Sequence, residues 1–155
     1  MKQHHYTIQV SWTGNLGEGT KTYSSYKRQH VISLEGKPDI SGSSTPIYRG
    51  DADRYNPEDL LVASVSSCHM LWYLHLCASA GVVVTAYEDH AEGIMVEAPD
   101  GSGHFTEVTL KPVITLADGS MIAKADALHA QTNKLCFIAN SVNFPIHHRP
   151  EYRTV

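Results

Sequence analysis

Charge is thin in this sequence. Lys, Arg, Asp and Glu make up 18% of its 155 residues, and none of them falls between Leu60 and Tyr87. The net charge is −4, with the basic residues scattered and no Lys/Arg cluster. That balance excludes the electrostatic footprint of a nucleic-acid binder or of a protein that docks on an acidic membrane surface. Cysteine is scarcer still: Cys68, Cys77 and Cys136 are the whole complement of 3. A sparse, odd count is not the disulfide framework of a small secreted domain. Met1-Lys2-Gln3-His4-His5 also lacks the apolar stretch of a secretory leader. The expectation is a reducing, cytoplasmic setting, where lasting thiols are catalytic, metal-binding or simply buried. Among 10 histidines there is no HxxxH or HExxH spacing, nor any CxxC among the cysteines, so neither a metal nor a bound cofactor is expected. Gly14, Gly17 and Gly19 do not follow a phosphate-loop pattern and are read as a turn.

The uncharged run is long enough to raise the question of a membrane span. It contains Ser64, Ser66, Ser67, His69, His75 and Ser79, and Gly81 breaks it before Val82-Val83-Val84. A core helix followed by a strand fits that pattern better than a span, and no membrane partner is expected. The helix start is marked clearly: Asn56 can cap, Pro57 suits the first helical position, and Glu58 and Asp59 complement the positive end of the dipole. Gly81 is a natural stop. Between these signals the helix is apolar nearly all round, which predicts a buried central helix.

The remainder reads mostly as β. Residues 5–12 alternate polar and apolar, and a second strand is expected across about 26–34. Residues 82–98 and 105–117 read as two strands joined by Pro99-Asp100-Gly101-Ser102-Gly103. A helix is expected from Met121 to Leu135, a helical turn from Cys136 to Val142, and a closing strand from Ile146 to Thr154. With no repeat or linker, the chain is expected to form one α+β domain over residues 1–155.

The cysteines carry the chemistry. Cys68 and Cys77 are nine residues apart, which at about 100° per residue puts them on opposite faces of the helix. Cys77, among Leu74, Leu76 and Ala78, reads as a small buried hydrophobe. Cys68 shares its face with Ser64, Leu71 and His75, a semi-polar strip in an apolar helix. His69 points elsewhere and is a poor base for that thiol. Cys136 opens the turn that follows the second helix, and helix-terminal amides there would lower its pKa. Two similarly embedded thiols far apart in sequence can form a redox pair, because a thiol oxidised by peroxide needs a second to resolve it. The rival is that both are ordinary buried cysteines. A weaker third possibility is a metal bound by His147, His148 and a cysteine.

From Asn56-Pro57-Glu58 through Val62-Ala63-Ser64 to Ser67-Cys68, and again at Lys134-Leu135-Cys136-Phe137-Ile138-Ala139-Asn140-Ser141, the sequence resembles the OsmC and organic hydroperoxide resistance family. The order of expected elements agrees over nearly the whole chain. The resemblance implies antiparallel sheets wrapped around a long central helix in an intertwined homodimer. It implies a cofactor-free peroxidase in oxidative stress defence, taking a small apolar hydroperoxide and an external dithiol such as dihydrolipoamide. In that scheme Cys68 is oxidised to a sulfenic acid and Cys136 resolves it as a disulfide. Glu58 then holds an arginine that supports the Cys68 thiolate; Arg49, in the loop leading to Asn56, is the first candidate and Arg28 the second. The sequence departs from the family where Phe137 replaces a frequent proline. The alternative on the same fold is a protein that binds a small apolar ligand or senses redox state without peroxidase turnover.

Overall fold

In a computed structural model that describes all residues from Met1 to Val155, the chain gathers into two units, Met1–Leu60 and Leu61–Val155. The first holds an antiparallel meander of β1 (Gln9–Trp12), β2 (His30–Ser33) and β3 (Ile40–Gly42). These strands are shorter than the alternating pattern predicts, and the reason is pairing. Gln9 faces Ser33, and beyond Ser33 the pairing strand β2 gives way to a turn at Gly36, whose φ of +79° suits glycine. Residues 5–8 keep the pattern but have no strand to bond. Between β1 and β2, Asn15 folds the glycine-rich segment by accepting bonds from the amides of Gly17 and Gly19.

The first unit ends in the first turn of α1 (Pro57–Ala80). Its N-terminus is a reciprocal cap: the Asp59 amide donates to Asn56 Oδ1 at 2.8 Å, and the Asn56 amide donates to Asp59 Oδ2 at 3.2 Å. Gly81, at φ +72°, takes the left-handed conformation that stops the helix.

In the second unit, β4 (Val84–Asp89), β5 (Glu92–Glu97), β6 (Gly103–Leu110) and β7 (Pro112–Leu116) precede α2 (Ile122–Leu135), β8 (Ile146–His148) and β9 (Glu151–Thr154). They form two three-stranded ladders, β5-β6-β8 and β4-β7-β9. Each of the three long strands expected from the sequence is therefore two. The breaks fall at His90–Ala91, Lys111 and Arg149–Pro150. Pro112 and Pro150 have no amide to give a ladder, and the Lys111 amide donates instead to Asp89 Oδ1 at 2.7 Å. The closing segment pairs parallel with β6 and β7, because α2 carries the chain back across the sheet before it returns. These two ladders are mixed, whereas the β1-β2-β3 meander is purely antiparallel.

Two apolar clusters fill this unit, one around Tyr73, Cys77, Val82, Ile114, Leu116 and Ala125, the other around Val65, Val108 and Leu110. α1 serves both through a single stripe, Val65, His69, Tyr73 and Cys77. The expected burial all round is not found within one chain: Leu71, for example, is 63% exposed. α1 is long and apolar enough to cross a membrane by length and composition. Polar bonds nevertheless fasten its second unit portion to its neighbours, with Ser66 donating to Asp89 and the Tyr73 hydroxyl to the Ala125 carbonyl.

Candidate functional site

Cys68 lies one residue before His69 of the buried stripe of α1 and is half-buried. Cys136 caps the C-terminus of α2, its amide donating to the Thr132 carbonyl at 2.9 Å, and it is fully buried. The fold brings these thiols, 68 residues apart, close enough for Cys68 to act on Cys136. A turn follows Cys136, and the Ala139 amide donates to its sulfur at 3.3 Å. That contact is the one expected to favour thiolate. It is outweighed: burial and the adjoining Cys68 thiol push Cys136 up to about 11. The second thiol is thus held protonated and close, in reach of sulfur chemistry at Cys68.

Cys77 belongs elsewhere, in the core beside Tyr73, and burial pushes its thiol up. On the Cys68 side, Leu71, Trp72 and His75 line a shallow hollow, and Trp72 meets Phe137 edge to face with ring centroids 5.6 Å apart. Phe137 is 68% exposed. An apolar patch therefore borders both thiols along the chain.

The polar residues named with the thiols lie in the first unit. Glu58 sits in the first turn of α1, and none of Arg28, Arg49 and Arg54 forms an ion pair with it. Arg28 donates to the carbonyls of Tyr23 and Tyr26, each at 2.7 Å, and its guanidinium rests on both their rings at 4.2 Å. Arg49 holds a left-handed backbone at φ +63° and lies 6.0 Å from the Tyr23 ring. Both line a cleft with Tyr26, Lys27 and Asp51.

Sequence reasoning missed a buried cluster of imidazoles. His69 from α1, His129 from α2 and His148 from β8 meet at the seam between the two apolar clusters, with Tyr73 stacked on His129 at 4.2 Å. His69 Nε2 and His129 Nδ1 are 2.9 Å apart. Burial, with the neighbouring imidazoles adding to it, lowers His69 to about 3. Burial likewise lowers His129 to about 4, and His148 is lowered too. All three are neutral near pH 7. His147, next along the strand, points the other way toward Glu107 at 3.8 Å, so the two adjacent histidines do not converge with a cysteine on a metal. The one available signal was the placing of His69 on the same helical stripe as Val65 and Tyr73; its partners lie too far along the chain to be paired by spacing.

A family model described as OsmC-like protein matches residues 50–151. No curated protein matches the chain. Among solved structures, an OsmC-like protein of unknown function from Vibrio cholerae is similar at 28% identity and a TM-score of 0.83, covering 96% of this chain and 99% of that one. An organic hydroperoxide resistance protein from Elizabethkingia anophelis is similar in fold at 20% identity and a TM-score of 0.69, covering 99% and 100%. One from Legionella pneumophila gives 16% and 0.67, covering 97% and 99%.

Proposed function

Because the chain belongs to the OsmC-like family, which includes hydroperoxide-resistance proteins, we propose that it is a thiol-dependent peroxidase reducing organic hydroperoxides to alcohols. The observation that supports this reading is the nearness of the Cys68 thiol to that of Cys136, which helps to push the Cys136 thiol up. Cys68 thiolate attacks the terminal peroxide oxygen, the O–O bond breaks, and the alkoxide leaves as alcohol after taking a proton. The sulfenic acid on Cys68 is then attacked by Cys136 sulfur, which closes a disulfide and releases water. An external dithiol returns two electrons and two protons and leaves as its own disulfide. The apolar hollow at Leu71, Trp72 and His75 receives the organic part of the substrate. No metal or prosthetic group takes part.

In this reading the protein works in the reducing cytoplasm, and a second copy covers the apolar side of α1 that its own chain leaves open. Glu58 orients an arginine, Arg49 before Arg28, toward the Cys68 thiolate of the assembled dimer. The test is consumption of cumene hydroperoxide and of hydrogen peroxide by reduced protein with a dithiol donor. Organic-selective turnover abolished in Cys68→Ser is the expected result; turnover retained in that variant rejects it.

The patch formed by half-buried Trp72 and exposed Phe137 favours one second reading, a site for a small apolar ligand without turnover. That reading predicts no peroxide loss and a ligand that quenches Trp72 fluorescence.

A further inference from the structure

The His69 and His129 rings lie 3° from parallel with centroids 5.2 Å apart. An imidazole N–H lies in its ring plane, so the 2.9 Å contact between Nε2 and Nδ1 is an end-on N–H···N bond. The two rings thus span the space between α1 and α2 in one line. His148 stacks on His69 at 4.4 Å and Tyr73 on His129 at 4.2 Å, which keeps either ring from rotating out of line. His69 is 1% exposed and His129 5%, so water does not compete for the bond.

This strut stands where the two thiol-bearing helices are tied. Along α1 the contacts with α2 run from Tyr73, bonded to the Ala125 carbonyl, to His69, bonded to His129. Four residues toward the N-terminus of α1 match four toward the C-terminus of α2, the step of an antiparallel crossing. Cys68 directly precedes His69 on α1, and Cys136, at the end of α2, follows His129 by seven residues, two turns along the same face. The imidazole pair is thus a fixed contact between the two elements that carry the thiols.

We propose that His69 and His129 are positioning residues for the thiol pair, an imidazole strut whose length and single shared proton set how closely Cys136 approaches Cys68. One ring donates and the other accepts, so the strut is complete with both histidines neutral. It needs no contact with peroxide. The function of the strut rests on the peroxidase reading, since it serves disulfide closure.

The test reads the Cys68–Cys136 pair directly, without peroxide. Reduced protein is equilibrated anaerobically in mixtures of reduced and oxidised dithiothreitol, and the fraction of disulfide is counted by thiol alkylation and mass. Leucine fills the space but breaks the bond, as in His69→Leu and His129→Leu. Glutamine at 69 places a polar nitrogen or oxygen where Nε2 stood, and asparagine at 129 does so for Nδ1. We expect His69→Leu and His129→Leu to shift the equilibrium toward dithiol by about tenfold, the worth of one buried hydrogen bond. His69→Gln and His129→Asn restore most of it. Long-range proton–nitrogen NMR of the wild type shows one shared proton between the two rings. Leucine variants that fold and keep the wild-type equilibrium overturn the proposal, and so do polar variants that lose as much as the leucine ones. If wild-type protein forms no Cys68–Cys136 disulfide, the peroxidase reading fails by itself. The strut is then judged by alkylation of Cys136: a rate raised about tenfold in both leucine variants supports it, and an unchanged rate overturns it.

Discussion

Cys136 has no access to solvent and a thiol pushed up to about 11, so it stays protonated through the physiological range. If it resolves a Cys68 sulfenic acid as thiolate, closure is slow at pH 7 and speeds up by about tenfold for each unit that the pH rises toward about 11. Stopped-flow fluorescence of Trp72, which touches the residue following Cys136, follows the step after one equivalent of organic hydroperoxide. A flat profile between pH 7 and 9 contradicts resolution by this thiol. Cys136→Ser leaves Cys68 able to react once, and dimedone then labels it in full; wild-type protein under the same conditions is labelled little. Cys68 itself could be singled out from its neighbours in the sequence, because its face and the Asn-Pro-Glu start are local features. That Cys136 meets it could not be read from spacing, since the distance along the chain carries no direction.

At the scale of elements, α1 shows how far local chemistry reaches. Its start, its stop and its length follow from Asn56, Asp59 and Gly81, which act within a turn of themselves. Its surroundings do not. The run from Leu60 to Tyr87 is uncharged on every side, yet the sheets of its own chain cover one stripe. Under the dimer reading the uncovered side meets a second copy. Sedimentation equilibrium is then expected to give twice the chain mass of 17.1 kDa. Leu71→Lys, on the exposed side, weakens association while leaving the buried stripe intact. A wild-type protein of monomer mass at micromolar concentration contradicts the dimer. The strands teach the opposite lesson. Residues 82–98 look continuous in sequence, but the break at His90–Ala91 is imposed by neighbours that stop at Lys111 and Arg149.

Over the whole molecule, the imidazole cluster ties stability to pH. His69 and His129 are lowered from an ordinary 6.5 to about 3 and about 4, with His148 lowered as well. The unfolded chain takes up protons below 6.5 that the folded chain refuses, so stability is complete above that pH and is lost as the pH falls toward 4. Asp126 facing His129 and Asp89 facing His148 oppose the trend, while His147 adds to it. At pH 5 the loss is about 2 kcal/mol for each of His69 and His129. Guanidinium unfolding midpoints at pH 7 and pH 5 measure it, and combining His69→Gln with His129→Asn removes much of the difference. Equal midpoints in wild-type protein contradict neutral burial of the pair.

The sequence by itself determined the α+β class, the limits of the long helix, the glycine turns and the family resemblance. Each of these rests on caps, alternation or a motif within about twenty residues, where chain geometry leaves few choices. Only the tertiary structure decided which partners meet: Cys136 against Cys68, His129 and His148 against His69, β8 and β9 parallel to β6 and β7. It also reversed the expected effect of the turn after Cys136. One amide favours the thiolate there, but the desolvation that opposes it comes from residues assembled around the sulfur by the fold.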